Sequence, residues 1–309
     1  MEIRRIGSLQ VSVVGLGCNN FGARLDREGA RAVVDAALDA GVDFFDTADM
    51  YGETRSEELL GQALAGRRER AVIATKFGWR IDDQRHGARP AYVRRAAEDS
   101  LRRLGTDRID LYQLHQPDPE TPIEQTLAAL DELVRAGKVR EIGCSNFSAQ
   151  QLREAQAAVR SGAARFVSVQ NEYSLLHREP EAEVLPECER QGLAFLPFFP
   201  LASGLLSGKY RRGAAPPAAT RLSSTPRFAE RFLTERNQAA AEALADFAAS
   251  RGRSLLELAF SWLLSHRVVA SVIAGAMSPE QVRANAGAAG WKLTAADLAE
   301  IDRLTPPAG

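Results

Sequence analysis

Asp46, Tyr51, Lys76 and His115 each stand at or just beyond the end of an apolar run of the chain. A carboxylate, a phenol, an ammonium and an imidazole brought to one place would form a device for protonating an oxygen. A free tyrosine has a pKa near ~10, and a neighbouring lysine cation stabilises the phenolate, so Lys76 is expected to lower the pKa of Tyr51 and make it a better proton donor. Asp46 would keep Lys76 charged and oriented. His115 could polarise a carbonyl or help relay the proton.

Proton donation to a carbonyl needs a hydride from elsewhere, and the chain offers neither a metal cage nor a covalent cofactor motif. The polar ends of other apolar runs fit that need. Ser145, Asn146 and Gln170 carry hydroxyl and amide groups able to hold a carboxamide, and Phe198 offers a flat face on which a ring can stack. Backbone amides in LASGLLSGK, with Lys209, could bind a pyrophosphate.

Something must bring these positions together. After an expected hairpin at Glu2 to Val11, eight β-rich runs are read at 11–17, 42–47, 70–76, 108–115, 139–146, 166–171, 193–199 and 269–275. Amphipathic helical patterns such as REGARAVVDAALDAG and YVRRAAEDSLRRLG separate them, several closing on a glycine suited to a helix C-terminus. Eight strand and helix pairs predict one α/β domain over residues 1–309, a (β/α)8 TIM barrel with an N-terminal hairpin and long loops at its C-terminal face. An open doubly wound sheet fits less well, because Gly15-Leu-Gly-Cys-Asn-Asn-Phe-Gly22 has the wrong spacing for a dinucleotide fingerprint. In a barrel the strand ends converge on one pocket. Residues 200–236 form an unusually long connection, expected to begin phosphate-facing and continue as a flexible surface excursion. Thr294 is the expected N-cap of a final helix.

A formal charge of -1 supplies no field that would recruit nucleic acid or a membrane surface. No apolar stretch reaches the roughly 18 residues of a membrane helix, and the N-terminal residues lack the apolar core of a signal peptide, so a cytoplasmic location is expected. Three widely spaced cysteines predict neither a disulfide framework nor a zinc site. The metal prediction is none.

The stretches DTADMYGETRSEELLGQAL, ATKFG, DLYQLHQPD, GKVREIGCSNFS, VQNEYSLLHR, PLASGLLSGKY and VIAGAMSPEQVRANAGAA together resemble the aldo-keto reductase superfamily, in order and over nearly the whole chain. The resemblance implies an NAD(P)(H)-dependent oxidoreductase reducing aldehydes or ketones, with Asp46, Tyr51, Lys76 and His115 matching the catalytic tetrad and Tyr51 its general acid. It implies that Ser145, Asn146 and Gln170 hold the nicotinamide carboxamide and that Phe198 stacks on the ring. Leu201, Ser203, Gly204 and Lys209 would follow the pyrophosphate, and Gly275, Met277, Gln281 and Asn285 the adenosine and its 2′-phosphate. Gly17 is counted with the cofactor-binding residues. The segment 275–281 has no Lys or Arg, where relatives that grip NADPH strongly tend to carry one; Arg283 is the nearest cation. NADP(H) is the favoured cofactor and NAD(H) the alternative.

Plainer readings exist for each residue taken alone: Asp46 and Asp49 as turn or cap residues, Tyr51 as a half-buried aromatic, Asn146 as a helix cap, Phe198 as core. Their joint occurrence favours function. A metal-dependent hydrolase using Asp46, Asp49 and His115 is the enzyme alternative, weakened by the lack of an HxH pair. A cofactor-binding sensor or auxiliary subunit on the same barrel is the non-enzymatic one. Phe21 and Trp79 are expected in the substrate pocket, whose partner is a small carbonyl compound; monomer and homo-oligomer stay open.

Overall fold

A computed structural model describes residues 1–218 and 220–306 of the chain; Ala219, within the long connection, and residues 307–309 lie outside the described residues. Strands β1 (Ile3–Ile6) and β2 (Leu9–Ser12) pair antiparallel as the expected hairpin. Eight strands follow in one parallel sheet: β3 (Val14–Gly17), β4 (Phe44–Asp46), β5 (Val72–Phe77), β6 (Ile109–Leu114), β7 (Val139–Ser145), β8 (Phe166–Glu172), β9 (Ala194–Phe198) and β10 (Val272–Gly275). Strand β10 pairs with β3, and at the other seam Phe195 on β9 bridges to Val269, just before β10, so the sheet closes on itself.

The first and last predicted strands are shorter than the sequence suggested. Val11 and Ser12 belong to the hairpin, and Ser12, paired there with Ile3, marks the passage into the barrel: its amide donates to Asp43 Oδ1 and its hydroxyl to the carbonyl of Val14, both at 2.7 Å.

Helices occupy the intervals: α1 (Arg27–Asp39), α2 (Arg55–Ala63), α3 (Pro90–Leu104), α4 (Ile123–Arg135), α5 (Ala149–Ala157) and α6 (Val184–Gln191) each follow one barrel strand. After β9 come the short α7 (Arg221–Ser224) and α8 (Pro226–Phe232), then α9 (Glu235–Ser250) and α10 (Leu255–Ser265); α11 (Pro279–Gly287) and α12 (Ala295–Leu304) close the chain. Thr294 caps α12 in a reciprocal capping box, as its sequence position predicts.

Two apolar layers result. One lies between strands and helices; the other fills the barrel, where Ile6, Leu9 and Val11 of the hairpin pack on Phe44, Leu111 and Leu196. All six of these side chains have at most 1% exposure, so the hairpin plugs the base. The mouth at the strand C-termini is left for polar groups.

Candidate active site at the barrel mouth

Strand register sets the first shell of the site. Gly17 lies beside Asp46, Lys76 beside Gln113, and Ser145 beside Gln170, all at strand ends. Lys76 is fully buried and donates to Asp46 Oδ2 at 2.7 Å and to the carbonyl of Thr47 at 2.8 Å. Asp46 Oδ1 accepts from Gln170 Nε2 at 2.9 Å and from Gln113 Nε2 at 3.4 Å. A carboxylate removed from water is thereby paired with a cation and two amides, as a stable buried ion pair requires.

Tyr51 reaches this group from a turn. Its hydroxyl is 3.5 Å from Lys76 Nζ, and the ammonium lies 5.0 Å from its ring centroid. The turn depends on Gly52, at φ +58°, where an added Cβ would stand 2.2 Å from the carbonyl oxygen of Phe21. The ring of His115 meets that of Tyr51 edge-on at 5.7 Å, and Trp79 tilts against His115 at 5.3 Å.

The electrostatics correct one expectation. Burial raises the Tyr51 hydroxyl above the ordinary phenol range; Lys76 acts downward but is outweighed, with Asp46 and Asp49 adding to the rise. Tyr51 therefore stays protonated well past neutrality. Burial acts to lower the Lys76 ammonium, yet Asp46 and then Tyr51 overcome it and hold lysine above its usual range. Burial, helped by Lys76, pushes His115 well below the usual histidine range, so its imidazole is neutral at physiological pH, with Nδ1 making no hydrogen bond.

A cavity of about 1020 Å³ opens over these groups. Asp46, Tyr51, His115, Ser145, Asn146, Gln170 and Phe198 line one end, together with Trp79. Ser145 donates to the carbonyl of Gln170 at 2.7 Å, and Asn146 Nδ2 to that of His115 at 2.9 Å. Asn146 is not the cap of α5, since Ser148 takes that role in a capping box with Gln151. Leu201, Ser203, Gly204 and Lys209 also line it, as do Gly275, Met277, Gln281 and Asn285, and Gly17 beside Asp46. Thus every residue expected around a cofactor borders the one cavity. Phe21 does not: it is fully buried and outside the lining, because the turn at Asn19 and Asn20 presents those amides instead.

Sequence reading also missed residues. Gln113 hides inside a fully buried strand, and only its pairing across from Lys76 reveals it. The segment expected to be a flexible excursion carries α7 and α8 and is pinned by Phe228 and Phe232, which both meet Phe199 edge-on and tilt against each other. Arg221, at the start of α7, reaches back to donate to Asn20 Oδ1 at 2.8 Å and Asn19 Oδ1 at 3.3 Å. Arg24, Lys209 and Arg221 all border the cavity. Partial desolvation and then Arg24 and Arg221 hold Lys209 below its ordinary range; the charge repulsion is the more telling cause, because the side chain is exposed. Burial and then Arg24 lower Arg221 in the same sense.

Ser203 Oγ is buried without a hydrogen-bond partner, beside a backbone that turns through positive φ at Ala202, Ser203 and Gly204. Three repelling cations and an orphaned hydroxyl in one wall are the complement of a polyanion such as a pyrophosphate. The residues present therefore fit a nicotinamide dinucleotide. Around 275–281 the picture differs: Gln281 Oε1 accepts from the amide of Met277 at 2.8 Å, while Arg283 pairs with Glu280 at 3.6 Å in solvent and does not border the cavity. Among the described residues no group of three or more His, Cys, Asp or Glu could hold a metal ion.

Comparison with known proteins agrees with the barrel fold. The model of the Aldo/keto reductase family matches residues 13–306. An uncharacterized oxidoreductase of Bacillus subtilis is 37% identical over 300 residues, 92% of this chain and 89% of that one. A probable voltage-gated potassium channel subunit beta of rice, Oryza sativa subsp. japonica, is 36% identical over 92% of this chain and 90% of its own. Among solved structures, the glycerol dehydrogenase of Gluconobacter oxydans superposes with a TM-score of 0.85 at 32% identity, covering 99% of this chain and 97% of that one. An aldo-keto reductase of Bacillus halodurans, in its holo form, gives 0.82 at 34% identity over 100% and 97%. With the family model spanning the barrel from its first strand to its last helix, the chain belongs to the aldo/keto reductase family of oxidoreductases.

Proposed function

We propose that the protein reduces an aldehyde or ketone to an alcohol with NAD(P)H, Tyr51 delivering the proton. The observation that carries this reading is the Asp46–Lys76–Tyr51 chain, at 2.7 and 3.5 Å, facing the same cavity as the neutral His115. A bound nicotinamide would supply the hydride. Gln170, fixed through Nε2 on Asp46, and Asn146 and Ser145 would hold its carboxamide, with Phe198 against the ring; Arg24, Lys209, Arg221 and Ser203 would take the phosphates.

The residues divide the proton work. Tyr51, kept protonated by burial, hydrogen-bonds the carbonyl oxygen and gives up its proton as charge develops there. Lys76 stabilises the phenolate that results, and Asp46 keeps Lys76 charged and aimed. Neutral His115 orients the oxygen without competing as a charged acid. Trp79, 39% exposed at the rim beside His115, would form a wall for an apolar carbonyl compound.

NADP(H) remains the favoured cofactor on family grounds, with weak discrimination against NAD(H) expected because no cation of the 275–281 segment is available for a 2′-phosphate. The test is a titration with NADPH and with NADH, followed by tryptophan fluorescence, and then turnover of simple aldehydes. Binding with multiple turnovers supports the reductase; binding without turnover would instead point to a cofactor sensor, and no binding of either would remove both readings.

A further inference from the structure

Behind the Tyr51 turn lies a second polar cluster, between β5 and β6 on one side and α2 and α3 on the other. Its carboxyls are Asp49, at 1% exposure, and Glu57, at 0%. Glu57 is fully engaged: Arg103 donates to its Oε2 at 2.7 Å from Nε and 2.6 Å from Nη2, and Thr75 donates to Oε1 at 2.6 Å. The Tyr92 hydroxyl donates to Asp49 Oδ2 at 3.4 Å and the Met50 backbone amide also stabilises this carboxyl, while its Oδ1 has no partner. The Tyr112 hydroxyl from β6 is buried and unpartnered as well.

The charges that face Asp49 are Glu57 from α2, Arg103 and the Tyr92 phenol from α3, the Tyr112 phenol from β6 and Tyr51 on its own turn. One guanidinium therefore serves two buried carboxyls, and its fork is already closed on Glu57. An ionised Asp49 would be a buried charge that Arg103, Tyr92 and the Met50 amide compensate only in part. Meanwhile its backbone amide donates to the carbonyl of Lys76 at 3.0 Å, and Tyr51 N closes the next turn on the carbonyl of Ala48 at 3.2 Å. The backbone at Asp49 thus fastens the short segment between Asp46 and Tyr51 to β5 at Lys76.

We infer that Asp49 is a positioning residue that works as a neutral acid: it anchors the Tyr51 turn to α3 through Tyr92, and its ionisation in alkaline solution weakens Tyr51 as a proton donor. The second half rests on the proposed role of Tyr51; the first does not. Burial, with Glu57 adding to it, raises the Asp49 carboxyl to about 8, so the change falls within a measurable window. A negative charge there opposes formation of the phenolate.

The sign of the linkage separates the two parts. Because folded Asp49 keeps its proton where the unfolded chain has lost it, wild-type stability should decline as pH rises from about 4 to about 8. Asp49→Asn, neutral at every pH, lacks that contribution. The expected result is a melting-temperature difference, variant minus wild type, that grows with pH across this window; a constant difference overturns the inference whether or not the protein turns anything over. In kcat/KM for aldehyde reduction, wild type should fall roughly threefold to tenfold above about pH 8 beyond what Asp49→Asn shows, and Asn should rescue more of the neutral-pH rate than Asp49→Ala. Superimposable profiles overturn the coupling to Tyr51. If neither protein turns over, the reductase reading fails while the melting comparison still decides Asp49.

Discussion

The two ends of the cavity are built on opposite plans. At the tetrad end every charge is matched: Lys76 is buried on Asp46, Asp46 is bracketed by two amides, and the turn of Tyr51 is locked by Gly52. At the other end Arg24, Lys209 and Arg221 crowd one another on a wall with exposed members and an orphaned serine hydroxyl. The first region is organised before anything binds, as groups that stabilise a transition state must be. The second gathers like charges that lower the pKa of Lys209 and Arg221, an arrangement suited to an anion. Preorganisation belongs where chemistry is proposed and gathered positive charge where binding is proposed.

Substitutions at the two ends should therefore fail in different currencies. The largest effect is expected from Tyr51→Phe, which removes the hydroxyl and little volume: steady-state reduction should drop by about 10²- to 10⁴-fold with cofactor affinity retained. Near-normal kcat in that variant would break the distinction between the ends. Next, Lys76→Met leaves Asp46 as an unpaired buried carboxylate, and denaturant unfolding should show a loss of about 3–5 kcal/mol along with the activity. Arg221→Ala should do the reverse. Losing a charge-assisted contact of about 1.5–3 kcal/mol, it would weaken dinucleotide binding by roughly tenfold to a hundredfold and flatten the salt dependence, with stability and kcat little changed.

A smaller effect sharpens the picture of the preorganised end. The folded state resists protonating His115, whose pKa is depressed by burial and Lys76, whereas the unfolded chain protonates near 6.5. Stability should consequently decline as pH falls below that value. His115→Asn should remove a slope of up to about 1.4 kcal/mol per pH unit in that range, read from unfolding midpoints of variant and wild type.

The two ends also differ in how far the sequence announced them. Asp46, Tyr51, Lys76 and His115 follow apolar strands, and a barrel forces strand ends together, so their pairing could be foreseen from period and order. The net direction of the Tyr51 pKa could not, because it depends on how much water the fold excludes. Gln113 was hidden for a related reason: it sits inside a fully buried strand, and only the register beside Lys76 brings its amide to Asp46. Arg24 and Arg221 lie nearly two hundred positions apart, in a turn and in a helix of four residues that has no readable periodicity. Phe21 failed in the other direction, since an aromatic in the turn after β3 can as easily be buried in the core as face the mouth.

The plugged base has a kinetic side. With Ile6, Leu9 and Val11 filling the bottom of the barrel, traffic must use a single doorway, and the far wall of that doorway includes the arm that Arg221 ties to Asn19 and Asn20. In the proposed reaction a dinucleotide lying beneath that arm would have to arrive before the carbonyl compound and depart after the alcohol. The hairpin, remote from every reacting atom, would thus impose a queue.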